Sequence, residues 1–355
     1  MTTPRGPAGC VAVAPGRVNL IGDHTDYTGG WALPMALDLR TTVTAERRGA
    51  FVVLESAQEE EPAVVPIDLT DPSQLPPGWG RYVGGVVAEV KPDVGAVGTV
   101  ATTLPVGAGL SSSAALEVAV ALALGHPGPP LELARACQRA EHRATGVPTG
   151  IMDQLVSAAA VEGAALLLDC RSFETTPVAL PDLEVVVVHS GQSRQLAGSA
   201  YAERKAQAEE AEQLIGPLRD ARLADVASIT DPLLRRRARH VVSENVRVQA
   251  MVEAFAAGDV DAAGRLLVES HASLRDDFDV STTALDSTVD RLLATPGVLG
   301  ARLTGAGFGG CVVAFVRPGT DVDGWRVRPG GGAFVLERPI SSPPEEGGAW
   351  ASGEP

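Results

Sequence analysis

Two kinds of apolar pattern occur in both halves of the chain, and together they restrict it to a fold that mixes strands with helices. Short runs rich in valine, isoleucine and leucine are typical of strands, and they lie near residues 51–54, 164–168, 184–188 and 311–316. Apolar residues at helical spacing extend over residues 112–124, 131–144, 199–215, 232–257 and 258–273. The 39 glycines and 26 prolines provide turns between these segments. We therefore expect an α+β or α/β architecture.

The length of 355 residues allows two domains of ordinary size, about 100–200 residues each. The segment 177–181 begins and ends with proline and precedes a strand-like run. We therefore predict an N-terminal domain over residues 1–180 and a C-terminal domain over residues 181–340. Residues 341–355 (SSPPEEGGAWASGEP) have the composition of turns and are expected to be disordered.

The charged residues exclude several classes of protein. The formal net charge is −15 and the pI is near 4.9, which argues against a general nucleic-acid binder because such a protein needs a basic surface. The chain has only two lysines: Lys91 precedes Pro92, and Lys205 lies in a polar run. Neither fits the Gly-Lys-Ser/Thr of a Walker A loop or the strand lysine of a protein kinase.

The cysteines and the apolar segments favour a protein of the cytoplasm. The cysteines form no C-x-x-C pair and the histidines no metal-binding spacing, so we expect buried reduced thiols at Cys10, Cys137, Cys170 and Cys311. No segment reaches the ~18 apolar residues of a membrane-spanning helix. The first sixteen residues lack the apolar stretch of a secretory signal. We expect neither a membrane nor a nucleic-acid partner.

A loop of small residues, LPVGAGLSSSAAL (104–116), directly precedes an apolar helical pattern. Glycines let the backbone approach an anion closely, and serines can donate hydrogen bonds to it. A helix that begins near Ser112 would direct its positive dipole end at the same point. The loop therefore indicates a phosphate site. The alternative is a flexible loop that ends in an ordinary serine N-cap.

The segment 14–34 (APGRVNLIGDHTDYTGGWALP) concentrates carboxylate, imidazole and guanidinium groups. The polar members of this cluster are Arg17, Asn19, Asp23, His24, Asp26 and Tyr27. Because each hydroxyl of a sugar needs a donor and an acceptor, the set suits a polyhydroxylated ligand. The alternative is a polar surface turn in which Arg17 and Asp23 form a routine salt bridge.

The two segments just described and a third one resemble the motifs of galactokinases, which belong to the GHMP superfamily of small-molecule kinases. GRVNLIGDHTDYTGG (16–30) resembles the galactokinase signature, VGAGLSSSAAL (106–116) the second GHMP motif and LTGAGFGGC (303–311) the third. The resemblance extends from about residue 11 to residue 336, with the motifs in family order. It implies a two-domain α+β fold with mixed sheets and an active site in the cleft between the domains.

Three further segments match the family pattern: EHR (141–143), GIMDQ (150–154) and ESHASLRDDF (269–278). The resemblance implies that the chain phosphorylates the C1 hydroxyl of a hexose, which is α-galactose in this family. Asp153 matches the catalytic aspartate that accepts or orients the hydroxyl proton. Arg17 matches the active-site arginine, which would keep that carboxylate ionised and stabilise charge on the transferred phosphoryl group. From its turn-like neighbours alone, Asp153 would be a helix N-cap.

The resemblance also implies the contacts to the sugar. His24, Asp26, Gly150 and Tyr201 match residues that bind sugar hydroxyls. Asp23 stands where the family usually has glutamate, which is one methylene or roughly 1.5 Å longer, so its contact with an outer hydroxyl would weaken. A 1-kinase for another sugar, an N-acetylhexosamine or a pentose, is therefore an alternative. A sugar- and ATP-binding sensor without catalysis is a second one.

For the nucleotide, the resemblance implies Mg²⁺ with ATP as the co-substrate. The residues that would contact ATP are Trp79, Tyr82, Gly107, Gly109, Leu110, Ser111, Ser112 and Ser113. Mg²⁺ would be held by Ser112, Ser113 and Glu141, because water and phosphate oxygens can supply its remaining ligands. A third loop, with Gly305, Gly307 and Gly309, would support the site from the second domain.

Some of these positions have plainer interpretations when they are taken alone. By spacing, Glu141 would be a solvated position on a helix, and Trp79 would be a core aromatic at a turn.

We expect a monomer whose partners are a small sugar and ATP.

Overall fold

The computed structural model describes residues 9–147, 149–193 and 197–338. Within these residues the strands are β1 Gly9–Ile21, β2 Trp31–Arg47, β3 Phe51–Ser56, β4 Ala63–Pro66, β5 Ala96–Thr102, β6 Ala164–Asp169, β7 Thr175–Ala179, β8 Glu184–His189, β9 Val298–Leu303, β10 Cys311–Val316, β11 Trp325–Val327 and β12 Phe334–Arg338. The helices are α1 Trp79–Val90, α2 Ser112–Ala123, α3 Pro130–Thr145, α4 Met152–Ala159, α5 Ala197–Ile215, α6 Leu223–Val226, α7 Pro232–Ala257, α8 Val260–Asp276 and α9 Thr283–Leu293. Every segment that the sequence predicts as a strand or a helix lies on an element of that kind.

The first sheet is built around the long strands β1 and β2. Its hydrogen-bonded order is β12-β1-β2-β5-β3-β4, with β6 paired to the start of β2 and β7 paired to β6. The pairing of β3 with β5 is parallel, and the other pairings are antiparallel. Helices α1, α2 and α3 pack around a core of small and branched residues that includes Val43, Val83 and Val118. The polar segment 14–34 lies on strands β1 and β2 of this sheet and on the turn between them, and the serine-rich loop 104–116 connects its strand β5 to α2.

The second sheet has the order β11-β8-β10-β9, and all its pairings are antiparallel. Helices α5, α7 and α9 contribute to a core with strands β8, β9 and β10, in which Phe278 and Leu303 are fully buried. A separate core joins the two sheets, because residues of β1 such as Leu20 pack with residues of β10 such as Phe315. This shared core fixes the two sheets relative to each other.

The longest helix, α7, shows how local sequence sets the ends of an element. Asp231 precedes it and accepts hydrogen bonds from the N–H groups of Leu233 and Leu234, which is a standard N-terminal cap. Pro232 occupies the first turn, where its missing N–H costs nothing. Gly258 ends the helix in the left-handed conformation at φ +70°. The helix then packs against β1, β2 and β7 of the first sheet.

The α+β fold with mixed sheets is confirmed. The predicted domain boundary at residues 180 and 181 falls between β7 and β8, which lie in different sheets, but the division into these domains stays a prediction. Strand β12 pairs with β1, so the chain returns to the first sheet at its last described strand.

The tail predicted to be disordered, 341–355, lies outside the described residues. Among those residues, no helix is long and apolar enough to cross a membrane.

Candidate active site

A cleft of about 920 Å³ opens between the first sheet with its helices and the second sheet with α5. Most of the residues predicted for the site line its wall, namely Arg17, Asp23, His24, Asp26, Trp79, Tyr82, Gly107, Gly109, Ser111, Ser112, Ser113, Glu141, Gly150, Asp153, Tyr201 and Gly305. The side chain of Leu110 is buried in the shared core beneath the loop. Gly307 and Gly309 lie behind the wall, where they pack against Val280 and Gln192. Segments that are far apart in sequence thus meet in one cavity.

Arg17 and Asp153 form a bidentate ion pair at the centre of the cleft. Nε of Arg17 donates to Oδ1 of Asp153 at 2.8 Å, and Nη2 donates to Oδ2 at 2.7 Å. Only 5% of Arg17 is exposed, whereas 31% of the Asp153 side chain is accessible from the cleft. Asp153 is the second residue of α4, and its side chain makes no cap at that helix. The N-cap interpretation of Asp153 is therefore wrong, and so is the proposed pair between Arg17 and Asp23.

The serine-rich loop is tied to the same ion pair. Ser111 adopts a left-handed backbone at φ +57°, and its hydroxyl donates to Oδ2 of Asp153 at 2.5 Å. Nη1 of Arg17 donates to the carbonyl oxygen of Gly109 at 3.0 Å, and the Arg17 N–H donates to the Leu110 carbonyl. Ser111 thus precedes α2 without capping it through its side chain, so the ordinary N-cap interpretation is wrong. The N-terminus of α2 instead faces the cleft next to Asp153.

The turn between β1 and β2 carries aromatic and acidic groups into one end of the cleft. Nε2 of His24 lies 3.3 Å from the carbonyl oxygen of Ala306, and Nδ1 lies 3.0 Å from the hydroxyl of Tyr27. Because a carbonyl can only accept, Nε2 carries a proton, and in the neutral ring Nδ1 accepts the Tyr27 hydroxyl hydrogen. The centroid of the Tyr201 ring, on α5, lies 5.7 Å from the ring centroid of His24 and 5.8 Å from that of Tyr27. His24 and Tyr201 therefore form a ring-lined wall here, with Tyr27 packed against both.

Asp26 and Gly150 face each other across this end of the cleft. A Cβ atom on residue 150 would lie 1.9 Å from Oδ2 of Asp26, so only glycine leaves room for that carboxylate. Burial, followed by the charge of the neighbouring Asp153, raises the pKa of Asp26 to about 6. Two carboxylates thus converge on a space that a ligand rich in hydroxyl groups can satisfy.

Asp23 uses its carboxylate inside the protein, although it borders the cleft. Its oxygens accept hydrogen bonds from Nδ2 of Asn19, from the backbone N–H of Gly305 and from Arg302, which forms a buried ion pair with it. Arg302 is fully buried on β9, so this pair joins the β1–β2 turn to the second sheet. Sequence reasoning missed Arg302. The available signal was an arginine within the apolar strand run VLGARL.

Glu141 lies at the border of the cleft between α3 and the serine-rich loop. It accepts hydrogen bonds from the hydroxyls of Ser113 at 3.3 Å and Thr149 at 2.7 Å, and from Nε2 of Gln154 at 3.0 Å. Glu141 is therefore held in place rather than solvated on a helix surface, and that interpretation is wrong. A carboxylate next to serine hydroxyls and a helix N-terminus is a set of oxygen donors that suits Mg²⁺ with phosphate. Gln154 also binds the fully buried Glu117 at 3.1 Å, which sequence reasoning missed.

The far end of the cleft, beyond the serine-rich loop, is aromatic. Trp79 is the first residue of α1, and its indole N–H donates to the Glu61 carbonyl at 3.0 Å. Part of the Trp79 ring packs on the core, and part faces the cleft beside Tyr82. Trp79 thus packs on the core and also lines the cleft, while its contact with ATP stays a prediction. A flat apolar face at this position suits a planar base.

Comparisons with known proteins agree with this geometry. Three family models match the chain: the galactokinase galactose-binding signature over residues 3–47, the GHMP kinase N-terminal domain over 81–162 and the GHMP kinase C-terminal domain over 251–324. The chain is 44% identical to the galactokinase of Homo sapiens over 324 residues, which cover 86% of this chain and 83% of that protein. It is 43% identical to the galactokinase of Chloroflexus aurantiacus, with 90% and 89% covered.

Solved structures of GHMP kinases are also similar to this chain. The crystal structure of Lactococcus lactis galactokinase complexed with galactose is similar at a TM-score of 0.84 and 32% identity, and it covers 92% of this chain and 95% of its own. A mevalonate kinase structure is similar at a TM-score of 0.66 and 19% identity, with 90% and 98% covered. The second likeness concerns the fold alone.

The raised pKa of Asp26 predicts how stability depends on pH. Because the folded state holds this proton more tightly than an ordinary carboxyl of pKa 3.8, stability is lost as the pH rises from about 4 to about 6 and stays level above that. Asp26→Asn removes this loss. The variant should therefore be more stable than the parent by about 1–3 kcal/mol at pH 7, and the difference should vanish near pH 4.

Urea unfolding of both proteins between pH 4 and pH 8 measures this difference. The exposed Asp182 provides a control, since Asp182→Asn should leave the profile of the parent unchanged. A gap between Asp26→Asn and the parent that stays constant across the whole range would contradict the assignment to Asp26.

Proposed function

Because the chain belongs to the galactokinase family of GHMP kinases, we propose that its cleft transfers the γ-phosphoryl group of ATP to the C1 hydroxyl of α-galactose. The products are galactose 1-phosphate and ADP. The observation that carries the proposal is the position of Asp153. Its carboxylate is fixed by Arg17 of β1 and Ser111 of the serine-rich loop, in the wall of the cleft that also holds His24 and Asp26.

The two ends of the cleft accommodate the two substrates in this proposal. The sugar lies against His24, Asp26, Gly150 and Tyr201, where donors and acceptors for its hydroxyl groups face the cavity. The phosphates lie on the backbone of the loop 107–113 and at the N-terminus of α2, whose dipole favours negative charge. The adenine lies on the aromatic end at Trp79 and Tyr82. The reacting hydroxyl is then next to Asp153.

Asp153 and Arg17 divide the chemical work between them. Asp153 accepts the proton of the C1 hydroxyl as the bond between that oxygen and the γ-phosphorus forms, while the bond from the γ-phosphorus to the bridging oxygen of ADP breaks. Arg17 holds the carboxylate in one orientation and places positive charge beside the transferred group. A rigid guanidinium suits this role because it binds both carboxylate oxygens at once.

Glu141, Ser112 and Ser113 would hold Mg²⁺ in this proposal. Their oxygen atoms lie at the start of α2, next to the expected position of the phosphates. When bound, the ion neutralises charge on the β- and γ-phosphate oxygens. Thr149 and Gln154 fix Glu141 from behind, so its carboxylate is already oriented. The monomeric state and the location in the cytoplasm stay predictions.

Asp23 makes the choice of sugar a matter for experiment. Its short carboxylate is engaged by Arg302 and Asn19, and this is the observation behind the second candidate, a 1-kinase for another sugar. Coupled ADP assays with galactose, glucose, N-acetylgalactosamine and arabinose distinguish the two. We expect kcat/KM to be highest for galactose, and a preference of twofold or less would count against it. A protein that binds both ligands but turns over no sugar would be the non-catalytic sensor.

The role of Asp153 is tested by Asp153→Asn. The variant keeps the shape of the side chain but cannot take up the proton, so kcat should fall by about 10²- to 10⁴-fold. Galactose affinity, measured by calorimetry, should change little, because Asp26 and His24 remain. The exposed Asp182→Asn serves as a control with full activity. If Asp153→Asn turned over galactose at the parent rate, the proposed mechanism would be abandoned.

The proposed Mg²⁺ ligand is tested by Glu141→Gln, which removes one charge and keeps an oxygen that Gln154 can bind. The Mg²⁺ concentration for half-maximal rate should rise roughly tenfold, as expected when a charged ligand is lost, while the KM for galactose stays the same. Glu132→Gln, at an exposed position on the same helix, is the matched control. An unchanged Mg²⁺ dependence in Glu141→Gln would remove Glu141 from the site.

A further inference from the structure

One helix outside the cleft holds both ends of the β1–β2 turn that carries His24 and Asp26. We propose that His240, Glu244 and Asn245 of α7 are positioning residues, which set the backbone of residues 22–31 and thereby the affinity for the sugar. None of the three lines the cleft, and they lie between the family matches at 81–162 and 251–324. The proposal builds on the proposed function, because it concerns the sugar end of that site.

Glu244 fixes the start of the turn. Its Oε1 accepts the backbone N–H of Gly22 at 3.0 Å and the hydroxyl of Ser270 at 2.7 Å. Its Oε2 accepts Nε of Arg247 at 2.7 Å. Glu244 is fully buried, and although burial raises its pKa, Arg247 and its other partners hold that pKa below the usual range. A carboxylate that is ionised and fully bonded provides a strong, fixed acceptor for the Gly22 N–H.

His240 holds the next residue of the turn. Its Nε2 lies 3.1 Å from the carbonyl oxygen of Asp23, and its Nδ1 lies 2.9 Å from the hydroxyl of Ser273. Since the carbonyl can only accept, Nε2 carries the proton and Nδ1 accepts from Ser273. Burial lowers the pKa of His240 to about 4, so the neutral ring keeps this arrangement. Asp23 is thus held by α7 through its main chain and by Arg302 through its side chain.

Asn245 fixes the end of the turn. Its Oδ1 accepts the backbone N–H of Trp31 at 2.7 Å, and its Nδ2 donates to the carbonyl of Val241 one turn earlier on α7. The approach is so close that a Cβ atom on residue 30 would lie 2.5 Å from Oδ1. Gly30 is therefore required at this position. The amide of Asn245 is oriented by its own helix, which makes it a fixed acceptor.

These contacts matter because the turn between them is strained. His24 has φ +65°, a left-handed conformation that costs a non-glycine residue free energy and persists only where its surroundings enforce it. His240 and Glu244 lie one helical turn apart on the same face of α7, and Asn245 directly follows Glu244. Since they hold residues 22, 23 and 31, the segment with His24 and Asp26 has fixed ends. Loss of the hydrogen bond to α7 at one end should let the His24 and Asp26 side chains leave their proposed sugar-binding positions.

The kinetic test compares His240→Leu with His240→Gln in the full chain. His240→Leu leaves the Asp23 carbonyl unsatisfied, so the KM for galactose should rise at least tenfold, while the KM for ATP stays within twofold. His240→Gln supplies an amide N–H near the position of Nε2, and it should recover a galactose KM within about threefold of the parent. Met251→Ala is the matched control, since this buried α7 residue packs in the shared core. It should lower stability without changing the galactose KM.

A second measurement does not depend on activity or on the His240 variants folding. In Asn245→Ala, amide hydrogen exchange should accelerate in peptides that cover residues 20–33, whereas peptides from the loop 104–116 should keep the parent rate. Met251→Ala should not show this contrast.

Each outcome decides for or against the role of α7. Equal increases in both KM values, no rescue by glutamine, or unchanged exchange over residues 20–33 would overturn the proposal. If the parent phosphorylated another sugar instead of galactose, the proposed substrate would fail alone. The same comparison of variants with that sugar, together with the exchange data, would still decide on α7.

Discussion

The bidentate pair between Arg17 and Asp153 is the interaction on which the cleft depends. Arg17 lies on β1, Asp153 on α4, and the same guanidinium reaches the carbonyl of Gly109 in the serine-rich loop. Because β1 leads directly into the turn that carries His24, one strand connects the partner of Asp153 with the end of the cleft proposed to bind the sugar. With only 5% of Arg17 exposed, loss of either partner would leave a poorly solvated charge. The placement of three segments and the proposed chemistry therefore depend on the Arg17 side chain.

Much of the fold could be predicted from the sequence because its elements have clear apolar periods and well-marked ends. The capped helix α7 and the uninterrupted strand β10 are examples, and both lie where the pattern predicts them. The family motifs located the cleft residues, and Arg17, Asp153 and Gly150 do converge there. The order of the strands in the sheets could not be predicted from the residue patterns, because pairings such as β1 with β12 join residues more than 300 positions apart.

What the sequence could not supply were the partners of the site residues. Asp23 and Arg302 are 279 positions apart, and nothing in local spacing connects them. The same holds for Glu244 and Gly22, which lie 222 positions apart. Single residues examined alone also gave wrong interpretations, such as an N-cap at Asp153. A buried polar residue acquires its meaning from the groups that the fold brings to it, and these are known only when the fold is known.

The pairing of β12 with β1 has a consequence for how the chain is made. Gly9 faces Arg338 in register, so the first and last described strands are neighbours, with their ends about 5 Å apart. During synthesis, the outer edge of β1 stays open until β12, more than 300 residues later, has left the ribosome, and an open edge can pair with another chain. A short peptide that joins residue 9 to residue 338 would connect these two neighbouring strands and would allow the chain to be opened in an exposed loop elsewhere.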